Sequence, residues 1–343
     1  MPEPESLSIL LIGGLPPPVG GVSIHLLRLR RRLAKSGHRC RIRDDARVPP
    51  WLLPAWLAWL LLAQRARRRP LVHVHSGNWR TRCLTVLLGR LLNLPVLLTL
   101  HSFRAAGRGR TNLLARIALR HATIVVAVNA EIAAACIALG AASGRVRVQH
   151  AYLDPGEECG TLPPAILDFI ADHRPCLAAG AFRLRFHDGV DLYGLDMLVE
   201  LLRDLRAHRP QAGLVFVLPE TGLPGHLATC RRRLNELDLA PHFLIVEEAV
   251  DFVALLKRAD LLVRPTTSDG DSLSLREALY VGCRALASDA APRPSQVRLF
   301  RSRDGQDLLR GVLRTLDQPP PPPDREQDGL AGVLAAYGDA RRG

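Results

Sequence analysis

Between Arg264 and Leu279 the chain reads Arg-Pro-Thr-Thr-Ser-Asp-Gly-Asp-Ser-Leu-Ser-Leu-Arg-Glu-Ala-Leu. A strand is expected to end near Arg264 and a helix to begin near Ser272, which puts Asp269 in the loop and Glu277 within the helix. Two carboxylates so placed can accept from different hydroxyls of one ligand, while the amides at Ser272 and Leu273 hold its phosphates at the helix start. That division of labour suits a nucleotide sugar. Taken alone, the segment reads more simply as an Asp/Ser cap followed by a solvated glutamate. Asp269-Gly270-Asp271 also spells Asp-x-Asp, a spacing that can hold a divalent cation on a diphosphate. Its position, late in the chain and opening a helix, argues instead for a metal-independent site.

Two further segments carry chemistry. His73, His75 and His101 fall at the ends of predicted strands, where doubly wound sheets bind ligands. A histidine there can donate to a sugar hydroxyl or to developing charge. His101 is the favoured one of the three, and the other two read better as structural residues. The run from Gly13 to Gly21, with Gly20 and Gly21 at its end, follows a strand and opens a helix, so its backbone can approach an anion. It lacks both the dinucleotide glycine spacing and a P-loop lysine, and a plain tight turn remains the alternative.

The elements that must position these residues alternate along the whole chain. Short apolar runs at Leu7–Ile12, Arg39–Arg43, Leu71–His75, Val96–Leu100, Ile124–Val128 and Val146–Gln149 predict six strands in the first half. Cys176–Ala181, Gly213–Leu218, Phe243–Val246, Leu261–Arg264 and Arg284–Ser288 predict five more in the second. Helix-period stretches separate them, as in Leu195, Leu198, Val199, Leu202 and Leu205. The alternation predicts parallel sheets covered on both faces. Composition shifts around Asp154–Pro164, and the proline run Pro319–Pro323 is a stiff spacer before a last amphipathic helix at Leu330, Val333, Leu334 and Tyr337. The expected organisation is therefore residues 1–155, residues 156–318, and a tail, 319–343, whose helix returns to the first domain.

The 343 residues carry a net charge of +13, unevenly spread. Residues 1–155 hold 23 Lys/Arg against 6 Asp/Glu, a net +17, while residues 156–343 hold 23 against 27. A basic half joined to a near-neutral one predicts a domain that docks on something anionic, although arginine-rich coding accounts for the total equally well. Nucleic acid is not the expected partner, because aromatic platforms are scarce at 5% of residues. Seven scattered cysteines predict buried free thiols in a reducing compartment. The N-terminus shows no export signal, and the longest apolar run, Trp51–Ala63, falls short of the roughly twenty residues of a spanning helix. Its tryptophans and leucines are followed by Arg65, Arg67, Arg68 and Arg69, a pattern that can lie in an anionic membrane interface or be buried as a Rossmann helix.

The segment from Ser268 to Ala278 resembles the signature of the family-4 retaining glycosyltransferases of the GT-B fold. That family carries two acidic residues eight apart within a Ser-x-x-Glu-Gly-Phe-Gly-Leu-x-x-Leu-Glu-Ala frame. Ser268-Asp269-Gly270, Leu273, Glu277 and Ala278 match it, and Gly282 and Ala287-Ser288-Asp289 continue it. Gly20-Gly21-Val22 with Leu33 and Ser36-Gly37-His38 is similar to the family's opening loop and helix, and Leu71–His75 and Thr99-Leu100-His101 to its third and fourth strands. The resemblance implies two Rossmann-like, doubly wound α/β domains facing a central cleft, the first binding acceptor and the second the nucleotide sugar. It implies that Glu277 binds the ribose, that Asp269 holds sugar hydroxyls, that the Ser272 and Leu273 amides take the distal phosphate, and that His101 contacts the donor sugar. Three departures stand out. Asp269 is one methylene shorter than the family's glutamate, Asp271-Ser272 replaces Phe-Gly near the phosphates, and Tyr193-Gly194 stands where a Lys-Gly usually binds pyrophosphate. Arg183 or Arg185 is expected to supply the missing charge.

The expected activity is thus sugar transfer from a nucleotide diphosphate to an acceptor hydroxyl with retention, without a cofactor or metal. The acceptor is expected to be a saccharide or lipid-linked, in bacterial cell-surface polysaccharide or glycolipid assembly on the cytoplasmic side of the plasma membrane. A nucleotide-sugar 2-epimerase of the same fold is the nearest rival, and a basic nucleic-acid or membrane-binding protein without catalysis is the rival from another class.

Overall fold

The structure, a computed structural model, describes residues 6–16, 21–102, 110–154 and 160–342. The chain divides into two compact units, Met1–Asp154 with Asp328–Gly343, and Pro155–Gln327. The proline run stays with the second unit and the last helix with the first.

The first unit alternates strands and helices: β1 (Ser8–Ile12), α1 (Gly21–Lys35), β2 (Arg39–Arg43), α2 (Leu53–Arg68), β3 (Leu71–Val74), α3 (Trp79–Leu91), β4 (Val96–Leu100), α4 (Arg110–His121), β5 (Ile124–Ala127), α5 (Ala130–Ala138) and β6 (Val146–Val148). All six strands are parallel, in the order β2-β1-β3-β4-β5-β6. The four central strands bury every residue from Ile9 to Ile12 and throughout β3, β4 and β5, as a sheet covered on both faces demands. One apolar layer contains Leu57, Leu60 and Leu61 of α2, and the other Leu26, Leu29 and Leu33 of α1.

The second unit follows the same logic. It contains α6 (Pro164–Asp172), β7 (Cys176–Gly180), a short antiparallel hairpin of β8 (Phe186–His187) and β9 (Val190–Asp191), α7 (Leu195–Arg206), β10 (Gly213–Val217), α8 (Pro224–Glu236), β11 (Phe243–Val246), α9 (Phe252–Leu256), β12 (Leu261–Arg264), α10 (Leu273–Val281), β13 (Arg284–Ser288), β14 (Arg298–Phe300) and α11 (Gly305–Leu316). Its six-stranded parallel sheet runs β11-β10-β7-β12-β13-β14. The final helix, α12 (Leu330–Arg342), buries Leu330, Val333, Ala336, Tyr337 and Ala340 in the first unit. Asp328 at its start accepts from Arg32 of α1 at 2.6 Å, and Asp339 near its end pairs with Arg147 of β6.

Each of the eleven expected strands forms. Three short ones were not expected. The hairpin turns through Asp188 and Gly189, both at positive φ, the strongest short hairpin signal a sequence offers. The edge strand β14 spans three residues and contains an arginine, too little for alternation to register. Helix α2 is buried on one face only, since Leu53, Leu57, Leu60 and Leu61 are inside while Trp59 and Leu62 are 67% and 54% exposed.

Candidate functional site

In each sheet the strand order reverses beside the first strand of the unit, between β1 and β3 in one and between β7 and β12 in the other. Ligands of doubly wound sheets bind beyond the carboxyl ends of the strands at such points. His75, Arg183, Arg185, Asp269, Asp271 and Ser272 lie in the loops that leave β3, β7 and β12, while His101 follows β4 and Leu273 and Glu277 lie on α10.

In the second unit, Asp269 lies in the loop after β12. Its Oδ2 accepts from Arg264 Nε at 2.8 Å and Arg293 Nη1 at 2.9 Å, and Oδ1 accepts from the amide of Gly270. Burial would raise the carboxyl pKa, but Arg264 and Arg293 outweigh it and hold it at about 2. Arg293 is almost wholly buried and also donates to the Thr266 hydroxyl and the Ser288 carbonyl. Asp269 is therefore an ionised residue whose charge is already met by two arginines, and it braces the loop. The Thr267 hydroxyl beside it is buried with no partner.

Asp271 follows the same pattern. Arg276 Nε reaches its Oδ1 at 2.6 Å, and Arg276 Nη1 reaches Gln327 at 2.8 Å. The negative charge that Asp271 adds beside the helix start is offset by its own arginine. Ser272 is the N-cap of α10 in extended backbone, with its hydroxyl turned to Ser274 and not to the first-turn amides. Leu273 is the first helical residue, and no acidic residue stands in the first turn. Glu277 is buried on the same helix at 5% exposure. Its charge, with the larger contribution of Asp269, helps hold Arg264 protonated against the cost of burial.

Tyr193-Gly194 packs directly on this loop. Gly194 has φ +68°, and a Cβ there would lie 2.7 Å from Pro265 Cγ, so only glycine fits. The Thr267 amide donates to the Leu192 carbonyl, and Leu192 in turn donates to Arg185. Asp191 accepts from the amides of Tyr193 and Leu195 and from His226, which fixes the start of α7. Arg185 is exposed at the foot of the β8–β9 hairpin. Arg183 is part-exposed, with Nε 3.5 Å from Glu220. Both arginines are thus on the loop leaving β7, the strand next to β12.

In the first unit, Gly13 lies between β1 and β3, where a Cβ would meet Leu26 at 2.8 Å and His75 at 3.2 Å. Gly21 is the first residue of α1, with open space where its Cβ would be. Gly20 lies outside the described residues. The three histidines are joined by a fourth, His25 of α1, which the sequence did not single out. His73 is bonded on both ring nitrogens, to Tyr337 at 2.9 Å and Thr99 at 2.7 Å. His75 Nδ1 lies 3.0 Å from His101 Nε2, while His75 Nε2 is buried without a partner. His25 Nδ1 is 2.6 Å from the Ala151 carbonyl. Burial lowers His25 to about 4 and His73 to about 3, and holds His75 and His101 well below the ordinary histidine value. All four are neutral imidazoles at pH 7.

The two sheets and their topology are those of the GT-B fold. The HepE protein of Anabaena, solved with UDP and glucose, superimposes with a TM-score of 0.67 at 13% identity, over 98% of this chain and 95% of that one. A glycosyltransferase from Rickettsia africae gives 0.69 at 14% identity over 98% and 94%. UDP-GlcNAc 2-epimerase from Methanocaldococcus jannaschii gives 0.65 at 14% identity over 97% and 100%. No protein-family model matches the sequence, and neither does any curated protein.

Proposed function

We propose that this chain is a glycosyltransferase that moves a sugar from a nucleotide diphosphate to an acceptor hydroxyl with retention of configuration. The observation that carries this reading is the loop and helix start after β12, where Asp269, Ser272, Leu273 and the buried Glu277 stand beside the strand-order reversal. The second unit is the donor domain. Glu277 takes the ribose hydroxyls, and the amides at Ser272 and Leu273 take the distal phosphate. Arg183 and Arg185 supply the positive charge that Tyr193 does not, and Asp269, with its two arginines, orders the loop against the sugar. His101 of the first unit meets the donor sugar, and Gly20 and Gly21 allow close backbone approach. Catalysis is then chiefly positioning and stabilisation of the leaving diphosphate. HepE, which shares the fold, was solved with UDP-glucose, and UDP is therefore the first nucleotide to try.

Thermal shift with a panel of nucleoside diphosphates and their sugars tests the reading. A ligand at a hundred times its Kd stabilises by roughly 2.7 kcal/mol, and a panel without any response removes the proposal. The 2-epimerase is the alternative to separate, because neighbours of this fold are described as UDP-GlcNAc 2-epimerases. Conversion of the sugar nucleotide with no acceptor present identifies it. The diphosphate is offset by arginines and amides, so turnover should persist when magnesium and manganese are withheld and a chelator is added. Loss on chelation and recovery with manganese would instead assign a cation to Asp269 and Asp271.

We further propose that the first unit docks on an anionic membrane from the cytoplasmic side to reach a saccharide or lipid-linked acceptor, in surface polysaccharide or glycolipid assembly. Exposed Trp51 ahead of α2, exposed Trp59 and Leu62 on it, and the run of arginines from Arg65 to Arg69 in the sequence support this. Among the described residues no helix is long and apolar enough to cross a membrane.

A further inference from the structure

The histidines of the first unit come from three separate elements. His25 is on α1, His75 follows β3 and His101 follows β4. One ring nitrogen of each lies within 4.8 Å of the others. We propose that His25, His75 and His101 form a binding site for a single divalent transition ion of the zinc type.

Three observations carry it. The first is the donor set. Neutral imidazoles bind zinc, copper, nickel or iron and do little for magnesium or calcium, which take oxygen. The second is orientation from behind. His25 Nδ1 donates to the Ala151 carbonyl at 2.6 Å, which fixes its tautomer and leaves Nε2 with a lone pair. This is how metal-bound histidines are usually held.

The third is the unmet partner. His75 has one nitrogen facing His101 at 3.0 Å and the other buried against nothing that bonds it. A neutral imidazole has one proton and one lone pair, so one buried polar atom of the ring has no protein partner whichever tautomer forms. An ion at Nε2 provides that partner, and the hydrogen bond between His75 and His101 gives way to let His101 join it. Nitrogens around tetrahedral zinc, at about 2.0 Å from the ion, lie about 3.3 Å apart. The three ring nitrogens, within 4.8 Å of one another, would draw together by up to about 1.5 Å to reach that spacing. His101 is only half-buried, which leaves a fourth position open to water or another ligand. His73 is not a ligand, because both its nitrogens are occupied. Arg82 acts against the ion. Its charge is felt at His75 and His101, but the guanidinium is itself held over the Trp79 ring and near Asp45.

Where the transferase reading holds, ion and donor sugar compete for His101. The test therefore measures metal with no nucleotide present. Full-length protein is stripped by chelator and dialysed, then titrated with zinc alone against a chromophoric competitor. Uptake of one zinc per chain is expected, with cobalt giving the visible absorption of a tetrahedral nitrogen site and magnesium giving no response. His101→Ala and His75→Gln should each weaken zinc by about tenfold or more, whereas His208→Ala, on an exposed position of the other unit, should not. Circular dichroism checks that each variant is folded. His101→Ala carries the result if His75→Gln does not fold. Absence of stoichiometric uptake at about 10 μM zinc, or wild-type affinity in His101→Ala, overturns the proposal.

Discussion

Asp269 shows how much of a site can be invisible from spacing. The segment itself locates Asp269 and Glu277, eight apart. It says nothing of Arg293, which lies 24 positions beyond Asp269 and is brought back by the sheet. Removing one member of a buried ion pair leaves the others uncompensated, at a cost of about 3–5 kcal/mol. Asp269→Asn should therefore destabilise the protein by about 3 kcal/mol in urea titrations, beyond any effect on turnover. Arg264 and Arg293 hold its carboxyl at about 2, below the ordinary value of 3.8. The stabilisation is complete above about pH 4 and is lost as pH falls towards 2. Wild type should lose stability through that window, and Asp269→Asn should lose less. Glu277→Gln is a change of the same isosteric kind, at the residue proposed to take the ribose. It keeps the shape and removes the charge, so calorimetry should show nucleotide diphosphate affinity falling by about tenfold with the melting temperature little altered. Unchanged affinity takes Glu277 out of the site.

The elements were read more fully than the side-chain partners, for a physical reason. Parallel strands buried on both faces are continuous apolar runs, and helices between them repeat at 3.6, so both periods can be read locally. The β8–β9 hairpin and β14 are too short to impose a period, although Asp188-Gly189 marks the first. His25 was missed because it sits on the apolar face of α1, between Val22, Leu26 and Leu29, where nothing local distinguishes it. Its neighbours in space arrive from β3 and β4. Helix α12 is the element whose removal says most. Tyr337 is fully buried and its hydroxyl bonds His73 Nδ1. Tyr337→Phe deletes that bond and leaves a buried ring nitrogen unpaired, costing about 1–3 kcal/mol. A urea midpoint equal to wild type would show that His73 finds another partner.

For the whole molecule, charge is the feature that sequence alone resolves best. The +17 of residues 1–155 is a property of composition and needs no coordinates. What composition leaves open is whether the apolar run of α2 is buried or displayed, and the structure shows one face of each kind. Each basic residue close to an anionic surface adds about 1 kcal/mol, weakened by salt. Liposome flotation should recover the protein with anionic vesicles and not with neutral ones. High salt, or the triple change Arg67→Glu, Arg68→Glu and Arg69→Glu, should reduce recovery. Flotation that ignores lipid charge would dismiss the docking proposal.

The return of α12 to the first unit also bears on how the chain is made. The first unit begins at the start of the chain, but it is finished by residues that follow the whole of the second. At translation rates of 5–20 residues per second, roughly 10–35 seconds separate Asp154 from Asp328 on the ribosome. Throughout that interval Arg32 lacks Asp328 and His73 lacks Tyr337, and the layer containing Leu26, Leu29 and Leu33 lacks the helix that closes it. The second unit, continuous in sequence, can fold in that time. A nascent chain of this protein therefore completes its second unit before its first, and a premature stop within α12 would be felt in the unit encoded first.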